Sequence, residues 1–422
     1  MSIFKKYVFV FACITLSVKS WAQAPSPFTA FGIGDPYGNA TANTQGMAGV
    51  GVAQPQYWFL NNQNPALLVY NNLTVFQAGL VAESKTIRSA TQKEKSSGGN
   101  MSYLATAFPV LPGRWSTSIG LAPMTSVNYK RISDKPILGR PDETAILTEE
   151  GSGGFTQLSW NNGVRINSAW AVGLKLSYVF SSIVTTEKTS LPSSISPVNY
   201  PTGQEDQLYV RDVMAGLGVS YSMDSVGRKN YRLSFGAVFN APTKLNSIRT
   251  IQFYRTTGAG EIIEGDTSKR NHGTLKVPAS FTAGVSLSHN ARWNVGTEFT
   301  LQDWSSYRND EDENGGMATS WRWGLGGEIT PDPVAVENFL KRMTYRLGVS
   351  YEQTPYIYNN STVRDYGATF GLSIPAGRSS LDIAVKMGKR GDKATTQLQE
   401  NYFRVFFGIT FNDQWFIKRK FD

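Results

Sequence analysis

The chain has 422 residues, a formal net charge of +9 and a single cysteine, Cys13. Residues 1–22 read as a secretory signal, with Lys5 and Lys6 before a short apolar stretch, Tyr7 to Leu16, and Ser20-Trp21-Ala22 placing small residues around a cleavage point. Its removal takes away Cys13, and with it disulfides, thiolate metal sites and a cysteine nucleophile; it also takes Lys5, Lys6 and Lys19, so +9 falls by 3 to +6, a diffuse excess that does not mark a nucleic-acid-binding protein.

Residues 23–70 show no regular period and are rich in Gly, Asn, Gln and Pro. They contain Gly46-Met47-Ala48-Gly49 and Asn64-Pro65-Ala66. The glycines from Gly46 to Gly51 have neither a preceding strand nor a following Lys-Ser/Thr, so a phosphate loop is excluded. From residue 71 onward a period of two takes over. Trp170, Val172, Leu174, Leu176, Tyr178 and Phe180 alternate with Gly173, Lys175 and Ser177, and Phe281, Val285 and Leu287 alternate with Thr282, Gly284 and Ser286. Such segments send alternate side chains to lipid and to lumen.

The pattern predicts strands near 72–82, 100–109, 114–129, 154–165, 169–181, 207–223, 230–242, 274–288, 291–303, 319–330, 343–353, 364–374, 379–388 and 401–411. That is about fourteen, an even number as bacterial barrels prefer. Even-numbered connections are mostly short, and connections one, three, five and seven are long and polar, as for periplasmic turns against external loops. The tenth, Pro331 to Arg342, is longer, with a helical turn expected over 335–341. Aromatic residues such as Trp115, Tyr129, Trp160, Tyr221 and Trp323 gather near strand ends, where a bilayer interface favours them. No segment after residue 22 has the roughly 20 apolar residues of a membrane-spanning helix. The fold class is therefore all-β, a transmembrane antiparallel barrel over residues 71–422.

The Gly-Met-Ala-Gly segment, the Asn-Pro-Ala that leads into a strand at Leu73, and the element Gly120 to Met124 resemble the FadL/TodX family of outer-membrane transporters for hydrophobic compounds. The end, Phe407 to Lys420, is similar to family members with a basic-aromatic tail. The resemblance implies an N-terminal plug in the lumen over residues 23–70, with Gly46, Met47, Ala48, Gly49, Asn64, Pro65 and Ala66 as its motif. It further implies passive uptake of fatty-acid-like hydrophobic molecules, contact with outer-membrane lipid, no cofactor, and a sideways exit where the third strand kinks.

Proline has no N–H to donate to a ladder, so Pro123 marks either that gap or the end of a short strand at the external rim. Loops around 182–206 and 243–272 are expected to hold the ligand first, before a lumenal pocket with Trp58, Leu60, Leu67, Met214, Val238 and Phe406 as contacts. Inward charges such as Arg232, Arg292, Glu298, Arg322, Glu328, Arg346, Asp382 and Lys386 are expected to pair and hold the plug, or one of them to meet a carboxylate. His272 and His289 lack metal or triad spacing, and the run Asp310 to Glu313 reads as a solvated loop in preference to a calcium site. The competing reading is an interaction barrel, a shuttle or scaffold of a type IX secretion complex in the outer membrane. A general porin is a third.

Overall fold

The computed structural model describes residues 24–192, 200–227, 231–257, 261–335 and 337–415, and in it the period-two segments close into one antiparallel ring. The signal segment 1–22 and the basic tail Lys418 to Lys420 lie outside the described residues. The wall strands are β1 (Thr74–Arg88), β2 (Lys93–Leu111), β3 in two pieces (Trp115–Pro123 and Thr125–Ile137), β4 (Arg140–Arg165), β5 (Trp170–Ser190) and β6 (Thr202–Val226). There follow β7 (Tyr231–Asn240 and Thr243–Thr256), β8 (Ile262–Val277 and Ser280–His289), β9 (Trp293–Gln302) and β10 (Ser320–Ile329). The ring ends with β11 (Thr344–Tyr358), β12 (Ser361–Ala376), β13 (Ser379–Asp392) and β14 (Leu398–Asp413). Pairing of β14 with β1, from Asp413↔Thr74 to Gln399↔Arg88, closes it. Closure removes the unpaired backbone edge that lipid would penalise.

Side-chain alternation follows the sequence pattern. On β5, Trp170, Val172, Leu174, Tyr178 and Phe180 face outward, while Ala171, Lys175, Ser177 and Val179 are buried inside. A greasy outer face on a closed ring is what a bilayer requires.

The external parts differ from expectation. Thr243–Thr256 pairs with Ile262–Val277 along its length, so 243–272 is mostly a β-ribbon and not a loop. The tips of β5 and β6 likewise take up most of 182–206, pairing from Ile183↔Leu208 to Thr189↔Thr202. Connections one and three shrink to residues 89–92 and 138–139. Beyond the bilayer both faces of a ribbon meet water, so apolar alternation stops while backbone pairing continues, which hides these extensions from a hydrophobic-period reading. At the opposite, periplasmic end the tenth connection carries a single helical turn, Phe339–Arg342.

The third strand is broken. Its first piece pairs with β2 only from Leu111↔Trp115 to Leu104↔Leu121. The second piece, 13 residues long, keeps its partner β4 but on its other side meets a two-residue strand, Asp35–Pro36. Pro123 is the last residue of the first piece, and extended backbone resumes beyond it at Thr125. Register advances four residues on β3, Pro123 to Val127, against three on β4, Thr156 to Gly153, a one-residue bulge. Opposite it, Gly153 and Gly154 have φ of 112° and 141°, a backbone that L side chains avoid, and a Cβ on Gly154 would come within 2.4 Å of Thr125 O.

Candidate functional site

Residues 24–70 lie against the inward faces of the wall. Short turns dominate, Pro27–Ala30, Ala42–Gln45 and, the longest, Pro65–Tyr70. Irregular backbone leaves amides without ladder partners, and inside a membrane these must be satisfied locally. The wall supplies the partners. Glu298 Oε2 accepts from Gly51 N and Val52 N at 2.9 Å each. Thr369 Oγ1 accepts from Ala48 N at 2.9 Å and donates to Gly46 O at 3.0 Å, and Arg322 donates to Ala48 O. Asn64 Nδ2 donates to Val219 O at 3.0 Å, while its Oδ1 accepts from Ala66 N at 3.0 Å and so caps the turn that starts at Pro65. Met47 is fully buried, and Ala48 and Gly49 both have positive φ. Inward glycines make the approach possible: a Cβ on Gly173 would sit 2.4 Å from Pro65 and Ala66 backbone, and one on Gly326 2.4 Å from Met47 O.

Above this contact layer lies a cavity of about 370 Å³. Met214, Val238, Phe406, Tyr37 and Trp304 give it apolar patches, and Met124 and Thr125 at the break of β3 form part of its edge. Of the contacts expected from sequence, Met214, Val238 and Phe406 line this space. The other three lie elsewhere: Leu60 and Leu67 are consumed in packing against the wall, and Trp58 is 56 % exposed at the periplasmic end, where Asn412 holds its carbonyl. Trp304, with Tyr307 and Met317, belongs to connection nine, residues 303–319, which folds inward onto Ile33. Asp310 and Glu311 of this connection face Arg249 at 3.6 and 3.1 Å, so part of the acidic run is an anchor and not only a solvated loop.

The charges around the cavity are mostly paired. Arg390 bonds Asp35 at 2.8 Å and Asp365 at 3.0 Å. Arg404 bonds Glu83 at 3.0 Å and lies 3.9 Å from Asp35. Arg322 lies 3.8 Å from Glu298. Of the other inward charges, Arg346 meets Glu328 at 2.8 Å, Asp382 accepts from Ser373, and Arg232 meets Asp224 and Tyr57. Burial works to raise the Asp35 carboxyl, but Arg390, Arg404 and Lys85 outweigh it and hold it at about 2. The Tyr37 hydroxyl is pushed up to about 12, by burial first and by Glu83 second.

Asp35, Tyr37, Glu83, Trp304 and Arg390 were not legible as site residues, because their segments carry no motif. Lys175 was legible only as a position with the parity of Gly173 and Ser177, not as a site residue. His289 packs against Tyr231 and Trp293, and among the described residues no cluster of His, Cys, Asp and Glu can hold a metal.

A family model described as BamG matches residues 3–422. The chain belongs to the BamG family. No curated protein matches this BamG-family chain, but solved structures share its fold. The Pseudomonas putida toluene transporter TodX superposes with a TM-score of 0.56 at 16 % identity, covering 90 % of this chain and 99 % of that one. The CymD monoaromatic hydrocarbon channel gives 0.54 at 15 %, covering 89 % and 98 %. A Pseudomonas aeruginosa FadL homologue gives 0.54 at 12 %, covering 89 % and 98 %. The chain is thus a β-barrel of the outer membrane with the fold of these channels.

Proposed function

We propose that this BamG-family barrel is a passive channel for small hydrophobic molecules, long-chain fatty acids among them, with residues 24–70 as its plug and the break at Pro123 as a side exit into lipid. One observation carries the reading: the cavity reaches the wall at Met124 and Thr125, where β2 and β3 have stopped pairing. A crevice lined by Tyr103, Leu121 and Ala122 lies in the same part of the wall. The names of the structural neighbours, a toluene transporter and a monoaromatic hydrocarbon channel, agree with an apolar cargo. Transfer of apolar surface out of water, worth roughly 25 cal/mol per Å², is drive enough without metabolic energy.

The test is transfer of a fluorescent long-chain acid into vesicles that hold the purified barrel. Ala122→Trp fills the crevice and is expected to slow transfer about tenfold, a barrier increase near 1.4 kcal/mol, while the cavity still binds the probe in detergent. Equal transfer by both proteins removes the side exit. Transfer no faster than into protein-free vesicles removes the channel.

A further inference from the structure

We infer that the outer face of β12, β13, β14, β1 and β2 carries a site for the phosphate-bearing head group of an outer-leaflet lipid, away from the uptake path. On this arc the apolar outward residues stop towards the external end and cations follow. On β13 the run Leu381, Val385 and Met387 is succeeded by Lys389, and on β12 the run Phe370, Ala368 and Tyr366 is succeeded by Arg364. Tyr366 is the ladder partner of Lys389, and its ring lies 4.9 Å from that of Tyr351, an aromatic pair suited to the bilayer interface. Two strands on, Arg88 of β1 lies directly opposite Lys93 of β2, and Lys95 opposite Thr86 continues the same face. Lys93, Lys95, Arg364 and Lys389 are all exposed.

These charges lack counter-charges. Arg88, Lys93, Lys95 and Arg364 have no ion pair among the described residues, and Lys389 has only the half-exposed Asp392 at 3.3 Å. The Nε–H of Arg88 is buried without an acceptor. Carboxylates that could answer them, Glu83, Asp365 and Glu400, are buried on the lumen side, and Glu94 stands opposite the buried Ile87, on the other face. Long cations reach out of a bilayer by themselves, but like charges directly opposite on one face destabilise a sheet. An anion set between them reverses the sign. Arginine offers the fork that grips a phosphate by two bonds, and lysine adds a point charge. A lipid fits better than a free ion, because acyl chains lying on Phe370, Met387 and Phe403 would hold its phosphate at the level of the cations. The site spans the pairing of β14 with β1, so a bound head group also ties the two ends of the wall together.

The experiment measures binding of dioleoyl phosphatidic acid and dioleoyl phosphatidylcholine, which share their acyl chains, to the delipidated full-length barrel in uncharged detergent, by native mass spectrometry. Each cation near a lipid surface is worth roughly fivefold in affinity, so the wild type is expected to prefer phosphatidic acid by at least about 25-fold. Arg88→Gln combined with Arg364→Gln should remove most of that preference with phosphatidylcholine binding unchanged. Arg211→Gln, which takes an exposed cation from the outer face of β6, should keep it. Equal affinity of the wild type for the two lipids overturns the inference, and so does a double variant that keeps the preference. An equal loss in Arg211→Gln would assign the preference to net charge and overturn the site as well. Inorganic phosphate that displaces the lipid at the lipid's own concentration would mark a site for free anions, with the same result. The double variant removes no ion pair, so its unfolding midpoint in lipid-free detergent should match that of the wild type; a lower midpoint would make Arg88 and Arg364 part of the scaffold and overturn the inference too.

Discussion

Asp35→Asn tests how the N-terminal segment is held. Asp35 joins three walls at once: its backbone pairs with Ser126 on the far piece of β3, its carboxylate meets Arg390 on β13, and Tyr356 on β11 donates to it at 3.1 Å. The carboxyl is 6 % exposed and held at about 2 against an ordinary 3.8. Holding the carboxyl that far below its ordinary value corresponds to roughly 2–3 kcal/mol at neutral pH. Removing one partner of a buried pair costs about 3–5 kcal/mol, and because asparagine keeps the contact with Tyr356, the lower figure is the better guide. Local opening of the segment should therefore become roughly 30–150 times more frequent. Since the folded value lies below the unfolded one, this contribution is complete above about pH 4 and fades as pH falls through about 2. The assay is hydrogen exchange of the amides from residue 26 to residue 37 in the reconstituted barrel, with single-channel recording alongside. Exchange should accelerate by that factor in Asp35→Asn, and an Arg390→Met variant should add little to it. Equal protection in wild type and Asp35→Asn, or full additivity of the two changes, would refute the latch.

Two further outcomes follow from the wall and its outer end. Leu174→Lys places a charge on the outward face of β5, where Leu174 is 40 % exposed, and should cost about 2–4 kcal/mol of folding into lipid if that site is near the midplane; refolding titrations in bilayers decide it, and an unchanged midpoint would contradict the lipid-facing assignment. Arg249→Ala removes the clasp on Asp310 and Glu311; with Asp310 as far as 3.6 Å away and Glu311 half in solvent it is worth no more than about 1 kcal/mol, so exchange at the amides of 304–317 should speed up about fivefold, as it should for the wild type in high salt. Protection that ignores both changes would mean that connection nine is held by Trp304, Tyr307 and Met317 alone.

The wall was readable because one physical rule, lipid outside and a wetter interior within, imprints a period of two on every strand. β5 carried it residue by residue, and so did the inward glycines: Gly173 and Gly284 stood at the right parity, though nothing in the sequence alone said that Pro65 or Val52 would press against them. The ribbons beyond the bilayer obey no such rule, which is why Thr243–Thr256 passed for a loop. The cavity was the least legible part, for its apolar residues arrive from distant strands and its charges are matched across the lumen. Asp35 and Arg390 are 355 positions apart, and only the closed ring brings them together. Trp58 misled for a related reason. Its aromatic ring suited a pocket, but the turn that carries it faces out of the periplasmic end.

The irregular course of residues 24–70 explains why the lumen is not simply apolar. A helix or a sheet would satisfy its own amides, but this segment cannot, so the wall must present Glu298, Thr369, Asn64-accepting carbonyls and the Arg390 pair where a purely apolar carrier would have none. Those polar anchors make the axis of the barrel a poor route for a greasy molecule, since each would be stripped of its partner as the molecule went by. On the lumen side the break is covered by residues 35–39, where Tyr37 N donates to Met124 O at 2.9 Å and the Gln157 amide donates to Asn39, so a passage beside Pro123 has these few contacts to open.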